Sequence, residues 1–148
     1  MKIIRNGKEQ KWTWNEYASQ SLSFAKALRH IGVEDRRSIN IMGFNCPEWA
    51  IACFGAIFNN NVVSGVYITN GVQACHYQAE HSMAEVIVVD TVDQLKLYLS
   101  IIDKLPLVKA IVAWGVEKIP DELAKDSRVY SFKSFMELGK QITLQEIN

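Results

Sequence analysis

One histidine and one aspartate have the spacing of a known catalytic pair. His30 and Asp35 are arranged as His-x4-Asp, which is the spacing of some acyltransferases, in which the histidine is a general base. A histidine at the C-terminus of a helix is also favoured by the helix dipole alone, and Asp35 lies in a charged turn. We therefore favour a structural role for both residues over an acyltransferase.

The cysteines and the other histidines raise the question of metal or thiol chemistry. A structural zinc site needs four ligands, usually with paired short spacings, and Cys75, His76 and His81 supply three, two of them adjacent. We favour a buried cysteine beside surface histidines. Cys46 and Cys53 would share one helix face, and no general base lies near them in the sequence, so we expect small buried apolar residues.

A further candidate site follows a predicted strand. Glu48 and Trp49 begin a predicted helix there, and the loops after parallel strands are where α/β sheets bind ligands. The structural alternative, which we favour, is that Glu48 compensates the helix dipole and Trp49 packs in the core. Ser64, Gly65 and Tyr67 either line a cleft or pack a strand, and the sequence does not separate these alternatives.

The elements that position these residues alternate between strand and helix patterns. Thr13 and Glu16 form a capping box, apolar residues then recur at helical spacing, and Gly32 is a stop signal. The patterns predict strands at 38–42, 62–67, 85–89, 108–113 and 129–130, and helices at 14–30, 47–58, 71–80, from 90 or 91 to about 102, and from 131 to 138 or 139. This order predicts an α/β fold, a mainly parallel sheet with helices on both faces and right-handed crossovers.

Several local expectations follow from the same patterns. Asn45 or Cys46 should cap the helix at 47–58, which is apolar nearly all round and should be buried. The strand at 62–67 should be buried on both faces, and Asn70 should cap the next helix. Residues 114–127 should be loop, and the segment after 139 is weakly patterned.

The composition limits the class of protein. Of the 148 residues, 49% are hydrophobic and 22% are charged, which is typical of a globular protein. Sixteen basic and sixteen acidic residues give no net charge, so we expect no nucleic-acid partner. Three cysteines, no Asn-x-Ser/Thr site and no signal peptide or membrane-spanning run predict a cytoplasmic protein.

Several of these segments, taken in order, carry a family resemblance. They are Gly43-Phe44-Asn45-Cys46-Pro47-Glu48-Trp49, Gly55-Ala56-Ile57-Phe58, Gly65-Val66-Tyr67-Ile68-Thr69-Asn70, Ala74-Cys75-His76-Tyr77, Val86-Ile87-Val88-Val89-Asp90, Leu105-Pro106 and Phe135-Met136-Glu137-Leu138-Gly139. The ordered set resembles the N-terminal part of long-chain acyl-CoA synthetases of the bubblegum type. The segment from Trp12 to Tyr17 is typical of adenylate-forming, AMP-binding enzymes generally. The resemblance covers about residues 12–140.

This resemblance implies a reaction for the whole protein. Such ligases join a fatty acid to ATP, release pyrophosphate and pass the acyl group to coenzyme A. The resemblance makes residues 1–148 part of the N-terminal domain of such an enzyme, truncated before the phosphate loop. It places no catalytic, cofactor-binding or metal-binding residue on this chain. It implies ATP, Mg²⁺ and coenzyme A for the full-length family, and we expect none to bind tightly to this fragment, which should be inactive alone.

The resemblance also implies partners. A long-chain fatty acid is the expected substrate of the full-length enzyme, and its partition into lipid implies peripheral association with intracellular membranes. An alternative is a non-catalytic short protein that acts as a binding or scaffold module and self-associates through an exposed sheet edge. Two departures from the family pattern are Cys46 in place of serine, which weakens a helix cap, and Asn59-Asn60-Asn61 in place of small residues.

Overall fold

The computed structural model describes residues 1–116 and 118–141. Within them the helices are α1 (Trp14–His30), α2 (Pro47–Phe58), α3 (Val72–His81), α4 (Val92–Leu99) and α5 (Phe132–Leu138). The strands are β1 (Lys2–Arg5), β2 (Lys8–Lys11), β3 (Ser38–Met42), β4 (Val62–Val66), β5 (Ala84–Val89), β6 (Ala110–Ala113) and β7 (Val129–Ser131). Two 3₁₀ turns lie at Ile102–Lys104 and Gly139–Gln141.

Five parallel strands form the main sheet, in the order β4-β3-β5-β6-β7. The chain moves outward from β3 to β4, then crosses back over β3 to β5 and continues in that direction. The direction of winding therefore reverses at β3, and the topological switch point lies between β3 and β5. The predicted α/β fold with a mainly parallel sheet is confirmed.

Helices cover both faces of this sheet, as predicted. Helices α1, α2 and α5 enclose one core around residues such as Phe24, Ile51 and Phe135. Helices α3 and α4 enclose the second core around Leu95 and Tyr98. All six residues of β5 are buried between these two layers, which explains why its sequence is apolar without alternation.

Helix α1 has the ends that its sequence predicts. The Thr13 side chain accepts a hydrogen bond from the Glu16 N–H, and the Glu16 carboxylate accepts one from the Thr13 N–H at 2.8 Å. At the other end, Gly32 has a φ of 73°, and Val33 N–H donates to the Leu28 carbonyl. This is a Schellman motif, in which the residue after the helix adopts a left-handed backbone conformation, and glycine adopts that conformation at little energetic cost.

Two burial expectations were wrong, because local composition does not show which neighbours an element has. Helix α2 packs only one side, so Phe54, Ile57 and Phe58 remain 45%, 53% and 47% exposed. Strand β4 lies at the edge of the sheet, and its Val62 is 56% exposed. The cap of α3 also differs, because Gly71 occupies that position with no side-chain bond, while Asn70 donates to Gln78 instead.

The structure adds an N-terminal hairpin that the sequence analysis missed. Strands β1 and β2 pair antiparallel through a two-residue turn at Asn6 and Gly7, whose φ values are 50° and 72°. Positive φ at both positions is what a type I′ turn requires. The hairpin is a separate two-stranded sheet and does not join the parallel one.

Smaller differences lie in the second half of the chain. Strand β6 begins at residue 110 rather than 108, and α4 ends at residue 99, before the 3₁₀ turn that contains the buried Ile102. The predicted strand at 129–130 and the Ser131 cap of α5 are confirmed. The weakly patterned segment lies largely at residues 142–148, outside the described residues. No helix of the described part is long and apolar enough to cross a membrane.

Candidate functional site

A cleft of about 700 Å³ opens at the carboxyl ends of β3, β5 and β6. The hairpin forms its roof, and the loops after the three strands form its floor. Its lining residues are Ile3, Arg5, Asn6, Lys8, Gln10, Phe44, Asn45, Cys46, Asp90, Trp114, Gly115 and Val116. The cleft lies at the topological switch point, where open α/β sheets bind ligands.

Two glycines allow the floor of this cleft to pack tightly. A Cβ atom at residue 43 would clash with the Trp114 indole and lie 2.7 Å from the Asp90 Cβ. A Cβ atom at residue 115 would overlap the Asp90 carbonyl oxygen. The ends of β3, β5 and β6 can therefore meet only because Gly43 and Gly115 carry no side chain.

Asp90 joins the floor loops through its backbone and its carboxylate. Its N–H donates to the Met42 carbonyl at 3.1 Å and to Gln94 Oε1 at 2.8 Å. Its carboxylate oxygen Oδ2 accepts from the Phe44 N–H at 3.5 Å. One carboxylate thus faces the cleft from the centre of the floor.

Arg5 and Glu48 connect the roof to the floor. The two guanidinium nitrogens of Arg5 donate to the two carboxylate oxygens of Glu48 at 2.5 and 2.6 Å. The Glu48 side chain is 13% exposed and that of Arg5 35%. Burial raises the pKa of Glu48, but its hydrogen bonds, chiefly from Arg5, outweigh burial and hold this pKa below its usual value. The bond to Glu48 raises the pKa of Arg5.

Cys46 caps α2 at the edge of the cleft, so of the two predicted caps it is the one observed. Its sulfur accepts from the Trp49 N–H at 3.4 Å. Burial is the main cause that raises the pKa of this thiol to about 11, and the charge of Glu48 adds to it. The thiol is therefore protonated at neutral pH, and a protonated thiol is a poor nucleophile. Cys53, further along α2, also has its pKa raised by burial.

The structure places the other candidate residues away from this cleft. His30 is exposed at the end of α1, shortly before β3 begins, and so lies toward the amino ends of the strands rather than at the cleft. Asp35 pairs there with the Arg29 guanidinium at 3.3 Å and accepts from the Asn60 amide. These partners favour the structural role of Asp35 in a charged turn.

The residues of α3 point in different directions. Cys75 is fully buried, while His76 is partly exposed and lies 4.0 Å from Glu80. His81 stacks on Tyr77, with 5.4 Å between the ring centroids. In residues 1–116 and 118–141 no three His, Cys, Asp or Glu side chains are placed to hold a metal ion, so we assign Mg²⁺ to no position.

The sequence left open whether Ser64 and Gly65 line a cleft or pack within a strand, and the contacts of β4 favour packing. The Gln78 amide nitrogen donates to the Ser64 hydroxyl at 3.1 Å and to the Gly65 carbonyl at 2.9 Å. Both residues thus tie β4 to α3, and neither is among the lining residues of the cleft. Tyr67 is 80% exposed.

Many ligand-binding proteins have a doubly wound α/β domain with a cleft at the carboxyl ends of its strands. Comparison with solved structures shows which of these proteins have the fold of this chain. The anthranilate–CoA ligase AuaEII in complex with anthranoyl-AMP matches with a TM-score of 0.71 and 19% identity, over 90% of this chain and 23% of that protein. The A domain of the Segniliparus rugosus carboxylic acid reductase, in complex with AMP, matches with a TM-score of 0.77 and 14% identity, over 92% and 24%. At these identities the likeness establishes the fold.

The sequence comparison identifies the family. The AMP-binding enzyme family matches residues 2–141, so the chain belongs to this family. It is 40% identical over 133 residues to the long-chain-fatty-acid–CoA ligase ACSBG2 of Xenopus laevis, and 36% identical over 138 residues to human ACSBG1. These matches cover 89% and 91% of this chain, but the chain spans only 17% and 18% of the length of these relatives.

Proposed function

We propose that this chain forms the first part of the acyl-activating domain of a bubblegum-type long-chain acyl-CoA synthetase. The observation that carries this proposal is its 40% identity to the Xenopus ligase over nearly the whole chain. In the complete reaction, the fatty acid carboxylate attacks the α-phosphorus of ATP and pyrophosphate leaves. The thiol of coenzyme A then attacks the acyl carbonyl, and AMP leaves with the bonding electron pair.

The role of residues 1–148 in this proposal is to build a scaffold rather than to carry out a chemical step. The two buried cores hold the parallel sheet, and Gly43, Asp90 and Gly115 fix the loops at its carboxyl edge. Loops held by such a scaffold are where ligands of α/β domains approach. The contacts to ATP, Mg²⁺ and coenzyme A are assigned to the rest of the longer protein, as are the catalytic residues.

The 148-residue chain should therefore be inactive by itself. We expect no fatty-acid-dependent exchange of labelled pyrophosphate into ATP when the purified chain is assayed with a long-chain fatty acid and Mg²⁺. Exchange above the level of a fatty-acid-free control would contradict the assignment of the chemistry to other parts of the protein. For the complete protein we propose a cytoplasmic location with peripheral attachment to membranes.

The exposed apolar surfaces favour a second candidate, a non-catalytic module that associates with copies of itself or with another protein. Phe54, Ile57 and Phe58 lie exposed on α2, and within the described residues no strand pairs with the outer side of β4. Exposed apolar patches and open sheet edges are typical sites of association. In the first proposal, other parts of the same polypeptide cover these surfaces.

The mass of the endogenous protein distinguishes the two candidates. An antibody raised against the chain should detect a band several-fold heavier than 16.8 kDa if the chain is part of a synthetase, since it spans under a fifth of the relatives. A band near 16.8 kDa would favour the association module and overturn the synthetase proposal.

A further inference from the structure

The attachment of the N-terminal hairpin differs from that of the other strands. Among the hydrogen bonds of the described residues, none joins the backbone of β1 or β2 to the five-stranded sheet. An isolated two-stranded hairpin is only marginally stable in water. Its position over the cleft therefore depends on side chains that reach the body of the protein.

The register of the hairpin shows which side chains face the cleft. Ile3 pairs with Gln10, and Arg5 pairs with Lys8. Side chains of directly paired residues lie on the same face of a sheet, and all four of these residues line the cleft. The inner face of the hairpin thus carries two basic groups above the Asp90 carboxylate.

The ion pairs on the outer face lie within the hairpin. The Glu9 carboxylate pairs there with the ammonium groups of Lys2 and Lys11, and neither pair reaches the body. In the described part of the chain, the single ion pair between hairpin and body is Arg5–Glu48. The other polar connection is the bond from the Trp12 indole N–H to Gln20, at the junction with α1.

We propose that the N-terminal hairpin is a lid over the carboxyl-edge cleft and that the Arg5–Glu48 ion pair is the latch that keeps it closed. The lid turns about residue 12, because residue 13 already belongs to the capping box of α1. Opening breaks the two Arg5–Glu48 hydrogen bonds and lifts the inner face of the hairpin from the floor of the cleft. In the open position, solvent or a ligand reaches the floor of the cleft around Cys46, Asp90 and Trp114.

The three cysteines report on this motion because they lie in different places. Cys46 lines the cleft beneath the lid, Cys53 lies on α2 and is not among the lining residues, and Cys75 is fully buried in the core behind α3. The rate at which a small alkylating reagent modifies each one is measured by peptide mass spectrometry. Cys46 reports lid opening, and Cys75 reports global unfolding.

Arg5→Gln and Glu48→Gln both remove the latch but affect the Cys46 thiol differently. Glu48→Gln removes a negative charge that raises the pKa of Cys46, so it increases the thiolate fraction at a given pH. Arg5→Gln leaves that charge unpaired, so it does not increase the thiolate fraction. The pH dependence of the modification rate gives the thiolate fraction of Cys46 in each variant. If the rate per thiolate is higher in both variants than in wild type, the reagent reaches Cys46 more often, and a change in thiol acidity is not the cause.

The matched control is Glu9→Gln, which removes the ion pairs of the outer face and leaves the latch in place. Hydrogen bonds between charged groups are stronger than those between neutral groups, so losing the latch should raise the open population about tenfold or more. We expect Cys46 to react about tenfold faster in both latch variants, with Cys75 unchanged, and at the wild-type rate in Glu9→Gln.

Two outcomes would overturn the lid. One is a Cys46 rate that stays at the wild-type value in either latch variant. The other is acceleration of Cys75 in parallel with Cys46, because the ion pair would then stabilise the whole fold instead of controlling access to the cleft. Both readouts concern this chain alone, so the lid stands or fails independently of the proposed acyl-CoA synthetase.

Discussion

The close approach of α1 and α2 predicts that Gly55→Ala destabilises the protein, although alanine is the better helix former. A Cβ atom at residue 55 would lie 2.7 Å from the Phe24 Cβ and 2.8 Å from the Ser21 carbonyl oxygen. Carbon atoms in contact prefer about 3.5–4.0 Å. Both neighbours are fixed to the backbone of α1, so the two helices must move apart.

The size of the effect follows from two opposing contributions. Alanine gains about 1 kcal/mol over glycine in a helix interior. Overpacking a well-packed core costs typically about 1–3 kcal/mol, and a clash with backbone atoms lies at the upper end. We expect the free energy of unfolding of Gly55→Ala to be lower by about 1–2 kcal/mol. At about 2–4 °C per kcal/mol, the melting temperature should fall by several degrees.

The assay is urea unfolding followed by far-UV circular dichroism at one fixed protein concentration. Gly65→Ala is the matched control, because nothing lies within 4 Å of a Cβ atom at residue 65 and its φ is not in the left-handed region. The control should change the unfolding free energy by at most about 0.5 kcal/mol. A Gly55→Ala protein as stable as wild type, or more stable, would refute the packing argument.

Three further results are expected. The pKa of Glu48 is lowered in the folded protein, so its contribution to stability is present above about pH 4.3 and is lost as the pH falls further. In acid unfolding, Glu48→Gln should therefore lose less stability than wild type when the pH falls below that value. Thr91→Ala removes the capping box of α4 and should cost about 1 kcal/mol in urea unfolding. In light scattering, the double variant Phe54→Ser, Phe58→Ser should reduce any concentration-dependent association, and Ile4→Ser, at an exposed hairpin site, should not.

The helices and the parallel sheet were predictable because their signals are local. The capping box of Thr13 and Glu16 defined the beginning of α1, and Gly32 defined its end. The unbroken apolar run of β5 indicated a strand covered on both faces. Each of these signals involves neighbouring residues, so it can be found without knowing the tertiary structure.

The errors came from neighbours that local sequence does not specify. The small residues of β4 suit a doubly buried strand, but the crossover from β4 to β5 over β3 leaves β4 at the edge. The hairpin had a visible signal in Asn6 and Gly7, but its charged strands show no alternation of apolar residues. It is held over the cleft by a bond between residues 43 positions apart.

The candidate site was predicted in part. The rule that ligands approach the loops after parallel strands singled out Glu48 and Trp49 as one alternative, although the sequence favoured a structural role for both, and Asn45 or Cys46 was predicted as the helix cap. Cys46 lines the cleft, whereas Glu48 is not among its lining residues and binds Arg5, which is. The same rule, applied to the predicted strands at 85–89 and 108–113, points to Asp90 and Trp114, which directly follow β5 and β6 and line the cleft. Arg5 had no such signal, because only the folded hairpin brings it to Glu48.

The most direct test of the proposed function is a thioester assay on the endogenous protein, isolated with an antibody against this chain. With ATP, Mg²⁺, coenzyme A and a long-chain fatty acid, the isolated protein should form acyl-CoA and release AMP, and omission of any one substrate should abolish the product. Absence of acyl-CoA from intact endogenous protein, under conditions in which an ACSBG-type ligase is active, would contradict the assignment of this chain to a long-chain acyl-CoA synthetase.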